Sequence, residues 1–279
     1  LRRQRQMCIR DRFMIKKTTI SLIIGCIFIS IIAVVGARLW LETNFFNGGD
    51  GDEIIAYVTN SRTNEVLVVD LVNKVVKDRI PTGGLTHKGP FGIDITPNGG
   101  HVYVTNPELN NVLVINTTSH KIEATIPVGS YPMDIITSPD GKFAYVICEK
   151  SRDIYVIETE SNTVTTVITV GIELGRAAIS PDGSLLLVLS GDKVLAIDTK
   201  TSRVKETIKV EGDGYRASDV VFTPDSRYVY VGSERAHDGY APKIFVIDVE
   251  GSSVVNAVSY THLRAHETRH DLVCRLLLE

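Results

Sequence analysis

Cysteine is scarce in this chain, histidine is scattered, and basic residues are not in surplus. Of four cysteines, Cys8 and Cys274 stand near the ends, Cys26 lies in an apolar run, and only Cys148 falls in the regular middle. That region therefore has no internal disulfide and no Cys-x-x-Cys-His haem attachment site. Cys148 sits where a buried strand is expected and reads as a small hydrophobe. His87, His101, His120 and His237 fall in separate units, so no metal cluster is expected from them. Residues 39–257 hold 19 Lys and Arg against 29 Asp and Glu, a net charge of −10, which five arginines among the first twelve residues mask in the whole-chain value of −3. An acidic domain without a basic stripe excludes nucleic acid as a partner. No cofactor motif is present, and none is expected to be bound.

What the chain does have is a repeat. Thr96-Pro97-Asn98-Gly99 returns as Ser138-Pro139-Asp140-Gly141, Ser180-Pro181-Asp182-Gly183 and Thr223-Pro224-Asp225-Ser226, at steps of 42, 42 and 43 residues. Proline presets one turn torsion, Asn or Asp bonds its own backbone, and glycine accepts a positive φ. A short apolar strand precedes each turn (93–96, 134–137, 177–180, 219–222). An aromatic and β-branched strand follows it, marked by Tyr57-Val58, Tyr103-Val104, Tyr145-Val146, Leu187-Val188 and Tyr230-Val231. The third strand (66–69, 112–115, 154–157, 194–197, 244–247) ends at Asp70, Asn116, Glu158, Asp198 or Asp248. The fourth (121–126, 163–169, 203–210) is polar and alternating, as an edge that must resist foreign pairing should be. Four short strands per unit at this period predict an all-β fold, a β-propeller of four-stranded blades.

Tyr57-Val58-Thr59-Asn60 and Tyr103-Val104-Thr105-Asn106, with the Ser-Pro-Asp-Gly turns and the closure Ile126-Pro127-Val128-Gly129, resemble the YVTN-type β-propeller repeat proteins from Glu53 to about Val255. Later copies drift, as in Tyr145-Val146-Ile147-Cys148. The resemblance implies a seven-bladed ring, often at archaeal and bacterial surfaces, whose repeat carries no catalytic residues. Before Pro90 only three strands are expected (54–59, 66–69, 75–80), and the last unit breaks near Val258. About 19 strands result: an arc of about five blades from a seven-bladed ring, its missing inner strand supplied by a lost C-terminus.

Residues 1–13 and 258–279 resemble translated sequencing-adapter sequence and are expected to be artefacts. The second stretch contains His262, His266 and His270 at helical spacing, which would otherwise suggest a metal site. Met14 is then the expected start. Lys16 and Lys17 precede 20 apolar residues, Thr18 to Ala37, about 30 Å as a helix and enough to span a bilayer. Acidic residues beyond the run place the domain outside the membrane. The segment 14–38 is read first as an uncleaved anchor, second as a signal peptide cut after Val35-Gly36-Ala37, and third as a lipoprotein signal at Cys26. Residues 39–52 read as a flexible linker, whose carboxylates lack the spacing of a calcium loop.

Connections from the fourth strand to the next first strand, and from the second to the third, emerge on one face and are the longer ones. Binding belongs there. The candidates are His87, Lys88, Glu149, Arg152, Arg176, Arg216, Glu234, Arg235, His237 and Asp238. Arg176 and Arg216 stand out, because both lie where a first strand begins near the central channel and basic groups there would grip an anion. Asn116-Thr117-Thr118 is a glycosylation sequon in a solvent-facing turn. Three functions fit. The leading one is an exported, non-enzymatic binding scaffold for a protein or polysaccharide, attached to the membrane through residues 18–37. The second is the propeller of a lactonase-like or quinoprotein-like or nitrous-oxide-reductase-like enzyme, and the third a surface-layer component.

Overall fold

The computed structural model describes residues 43–47, 54–84, 89–210, 215–235 and 243–259, all within one compact unit, Trp40–His266. The described residues contain strands and turns and no helix, so none is long and apolar enough to cross a membrane. The expected anchor at 14–38, the segment 1–13 and residues 260–279 lie outside the described residues.

Five antiparallel sheets of four strands follow one another along the chain. The first contains β1 (Thr43–Asn47), β2 (Ile54–Asn60), β3 (Glu65–Asp70) and β4 (Val75–Pro81). The second contains β5 (Ile93–Ile95), β6 (His101–Asn106), β7 (Asn111–Asn116) and β8 (Lys121–Pro127). The third is built from β9 (Pro132–Thr137), β10 (Phe143–Cys148), β11 (Asp153–Glu158) and β12 (Thr163–Thr169). Next come β13 (Ala177–Ile179), β14 (Leu185–Ser190), β15 (Lys193–Asp198) and β16 (Arg203–Lys209), then β17 (Tyr215–Phe222), β18 (Tyr228–Arg235), β19 (Lys243–Asp248) and β20 (Ser253–Ser259). In every sheet each strand pairs with its sequence neighbour.

Two expectations need correction. The first sheet has its own inner strand: β1 pairs with β2 from Thr43↔Val58 to Asn47↔Ile54, inside the stretch read as a linker. The fourth strand of the last sheet also finishes, because Val258 and Ser259 pair with Ile244 and Lys243. Twenty strands are therefore present among the described residues, not 19.

The apolar runs are continuous because each middle strand serves two interfaces. Val102 and Val104 pack towards the first sheet with Ile55, Tyr57 and Val68, while Tyr103 packs towards the third with Ala144, Val146 and Cys148. One strand on, Tyr145 and Ile147 meet Leu186 and Val188 of the fourth sheet. Leu187 and Leu189 then meet Val229, Val231 and Phe245 of the fifth. Alternation at period two thus divides side chains between neighbours instead of between core and water. Burying one such side chain fully is worth about 1.5–3 kcal/mol, so these faces dominate cohesion.

Tyrosine adds a polar latch. Tyr57 Oη lies 2.9 Å from His120 Nδ1 and donates to Thr117 O, and Tyr103 Oη donates to Asn162 Oδ1 at 2.7 Å. Tyr145 meets Thr199. Each hydroxyl thereby reaches the turn between third and fourth strands of the next sheet, and burial pushes the phenol of Tyr103 up to about 12.

Outer strands show one buried residue each, Ile80, Ile126, Ile168 or Ile208, among exposed ones. All five also carry a register shift against the third strand at the same place, as between Val68 and Val69 or Val246 and Ile247. A bulge on an outer edge twists it away from foreign strands. The proline turns close through positive φ at Gly99, Gly141 and Gly183, and in the last copy Ser226 takes the same conformation at φ 61°.

Candidate functional site

The position five residues before each turn proline lines the inner edge of the sheets: Gly92, Asp134, Arg176 and Asp219 are equivalent. Gly92 has no room for a side chain, since a Cβ there would stand 2.9 Å from both Asp134 Cα and Met133 O. Inner strands are also tied to one another by carboxylates. Asp94 Oδ2 accepts from Thr137 N at 2.7 Å and Thr137 Oγ1 at 2.8 Å, and Asp134 Oδ2 accepts from Ala177 N at 2.9 Å.

Arg176 enters this acidic edge. Its Nη1 lies 3.7 Å from Asp134 Oδ1, and its guanidinium carbon is 6.0 Å from the centre of the Phe91 ring. Burial lowers the Arg176 pKa, an effect the Asp219 charge opposes. Burial, reinforced by the charges of Asp219 and Asp94, pushes the Asp134 carboxyl up to about 7 despite its bonds from Ala177 and Ile135 N–H. Asp94 is raised by burial as well.

Arg176 also borders a cleft of about 150 Å³ between the fourth and fifth sheets, with Glu173, Leu189, Arg216 and Ser218. Its floor is fixed by the backbone: Gly175 N donates to Leu189 O, Leu189 N to Arg176 O, and Ser190 Oγ to Glu173 O. Arg216 Nη2 donates to Glu173 Oε1 at 2.8 Å across the mouth, both side chains being 61% exposed.

The two arginines singled out in the sequence therefore border the same cleft. Each has a carboxylate beside it, so the cleft is charge-balanced and not basic. Glu149 and Arg152 stand apart on the β10–β11 connection, where Arg152, at φ 61°, directs Nη1 to Gly171 O at 3.4 Å. Glu234 and Arg235 end β18, Glu234 opposite Arg216 in register. His87, Lys88, His237 and Asp238 lie outside the described residues. Asn116 ends β7; its Oδ1 caps Thr118 N and Ser119 N, and its Nδ2, the atom a glycan would be attached to, donates to Glu123. Cys148 is fully buried, and burial pushes its thiol up to about 12, which suits packing and not nucleophilic attack.

Sequence reasoning missed Glu173, Asp94, Asp134 and Asp219. The constant offset from the turn proline marks the last two. No group of three or more His, Cys, Asp or Glu side chains is gathered for a metal among the described residues.

Sheets of four antiparallel strands, packed face to face in series with polar groups along their inner edges, define a β-propeller. Residues 46–171, which span the first three sheets apart from the start of β1, match the family described as Lactonase, 7-bladed beta-propeller. Among solved structures, hydrazine synthase of Kuenenia stuttgartiensis is similar at 25% identity over 82% of this chain and 68% of that one, with a TM-score of 0.69. In all, 1518 chains match; likeness of fold by itself does not assign a function. No curated protein matches.

Proposed function

We propose that this chain is the propeller of an exported, YVTN-type binding protein, part of a seven-bladed ring held at the membrane by residues 18–37. It acts as a non-enzymatic scaffold whose loop face receives a polysaccharide or protein. The observation that carries this reading is the charge balance of the cleft: Arg216 is held by Glu173, and Arg176 stands beside Asp134. A free anion would have to compete with these carboxylates. A neutral, hydroxyl-rich ligand would not, since sugar hydroxyls donate to Glu173 while accepting from Arg216. A small cleft with a few fixed polar groups suits one sugar unit of a longer chain.

Calorimetric titration of the full chain with neutral oligosaccharides and with matched uronates tests this. Neutral oligosaccharides bind, Glu173→Ala weakens them about tenfold through loss of one charged hydrogen bond, and uronates bind no better. Preference for uronates, or no loss in Glu173→Ala, overturns it. Fractionation of the producing cells tests export separately: recovery from the cytoplasm refutes that part.

The family match of residues 46–171 favours a second reading, hydrolysis of a lactone. Saturable lactone opening by the full chain, abolished by substitution in the inner-edge carboxylates, would replace the scaffold with an enzyme.

A further inference from the structure

The position eight residues before each turn proline is taken by Gly89, Tyr131, Glu173 and Arg216, which lead into the second, third, fourth and fifth sheets. It falls on the loop face, where a crossover hands over to an inner strand. Neighbouring members of this series come within reach of one another, because Arg216 Nη2 and Glu173 Oε1 meet at 2.8 Å. Tyr131 is the next member beyond Glu173. The row of side chains stops there, since a Cβ at Gly89 would collide with Asn64.

Tyr131 is held in an unusual conformation. Among the described residues, the other non-glycine residues with positive φ stand in hairpin turns, whereas Tyr131, at 62°, lies in a crossover. A bulky side chain in the left-handed region is strained. Such residues persist where the surroundings fix them, and they cluster where ligands are clamped. Here Tyr131 N donates to Asn110 Oδ1 at 2.9 Å, and Glu149 N donates to Tyr131 O at 3.0 Å. The ring is half-buried, and Lys150 Nζ lies 4.2 Å from its centre. An exposed lysine is held over a ring only weakly, so a ligand can displace it. The ground from there to the cleft is continuous. Arg152, two residues beyond Lys150, donates Nη1 to Gly171 O at 3.4 Å, and Ile172, 40% exposed, leads into Glu173.

An aromatic face is electron-rich and receives the apolar C–H face of a sugar ring, while Glu173 and Arg216 exchange hydrogen bonds with the hydroxyls of another unit. Sheets packed face to face stand about 10 Å apart, too far for a single unit in the cleft to touch Tyr131 as well. Contact groups set at one interval along successive sheets match a ligand that itself repeats. Resting on the reading of the cleft as a sugar site, the geometry points to Tyr131 as a second subsite. The ligand is then a linear, neutral polysaccharide laid along the loop face from Arg216 past Glu173 to Tyr131.

The test is calorimetric titration of the full chain with linear oligomers of glucose, mannose and N-acetylglucosamine, from two to six units long. Affinity for the series that binds rises about tenfold from the shortest member to the longest, the size expected of one added ring contact. Tyr131→Asn removes the ring and suits a positive φ; it abolishes that rise and leaves binding of the shortest oligomer unchanged. A melting temperature at or above the parent's shows that this variant is folded. Tyr131→Phe keeps the rise, and Glu173→Ala weakens every length alike. An affinity that does not grow with length, or a rise that survives in Tyr131→Asn, overturns the subsite and leaves the cleft reading intact. If no oligomer binds, as when this face receives a protein, the cleft reading falls and the subsite with it.

Discussion

Removing one hydroxyl from the second sheet tests whether the sheets are latched as well as packed. Tyr103 is fully buried, and its Oη donates to Asn162 Oδ1 at 2.7 Å, with Thr159 O at 3.4 Å. In Tyr103→Phe the ring stays, so the apolar contacts with the third sheet persist and only this bond is lost. A neutral hydrogen bond contributes about 1 kcal/mol net, because water competes for both partners in the unfolded chain. Asn162 is half-buried, so its freed oxygen regains water. The expected loss is about 1–1.5 kcal/mol, read as a lower urea midpoint at unchanged slope. The partner substitution must respect the backbone, since Asn162 has φ 53°; Asn162→Gly removes the acceptor and keeps that conformation. In the double variant the losses should fall short of additivity by about 1 kcal/mol. Full additivity, or a Tyr103→Phe protein as stable as the parent, would refute the latch. Leu187, at the same place in the fourth sheet, has no hydroxyl, so Leu187→Tyr should bring no comparable gain unless its turn partner is supplied too.

Three further outcomes follow from the inner edge and the turns. Gly92→Ala drives a Cβ onto the backbone at Asp134 and Met133 and should cost about 2–4 kcal/mol, seen as a lowered melting temperature; a neutral effect would mean the inner strands are not this close. Ser226→Gly relieves the one non-glycine left-handed residue in the proline turns and should stabilise by about 0.5–1 kcal/mol in urea unfolding; destabilisation would refute that account. Asp134, at about 7 when folded against a usual 3.8, holds its proton more tightly in the folded state. Its contribution is therefore full below about pH 4 and is lost as pH rises towards 7. Asp134→Asn should flatten that part of the stability–pH curve, and an unchanged slope would assign it to other groups.

The repeat was legible because burial on both faces leaves an uninterrupted apolar run between recurring proline turns, a signal that survives drift from Tyr103 to Leu187. β1 was not legible. Thr43-Asn44-Phe45-Phe46-Asn47 is followed by Gly48 to Asp52 instead of a proline turn, and its strand character comes from pairing with β2. The positions of Arg176 and Arg216 at first-strand entries were legible; that both border one cleft was not. Their carboxylates were harder to foresee: Glu173 lies in an irregular crossover, and Asp134 comes from the neighbouring sheet.

Because neighbouring residues of one middle strand belong to different interfaces, adjacent substitutions should sense different parts of the molecule. A lesion at Val104 loosens the seam with the first sheet, whereas one at Tyr103 loosens the seam with the third. Cohesion is thus handed along from sheet to sheet, each knowing only its two neighbours, as in a stack of nearest-neighbour units. Such a molecule can lose grip at one seam while the next stays shut, and hydrogen exchange along β6, β10, β14 and β18 would record the seams opening one at a time.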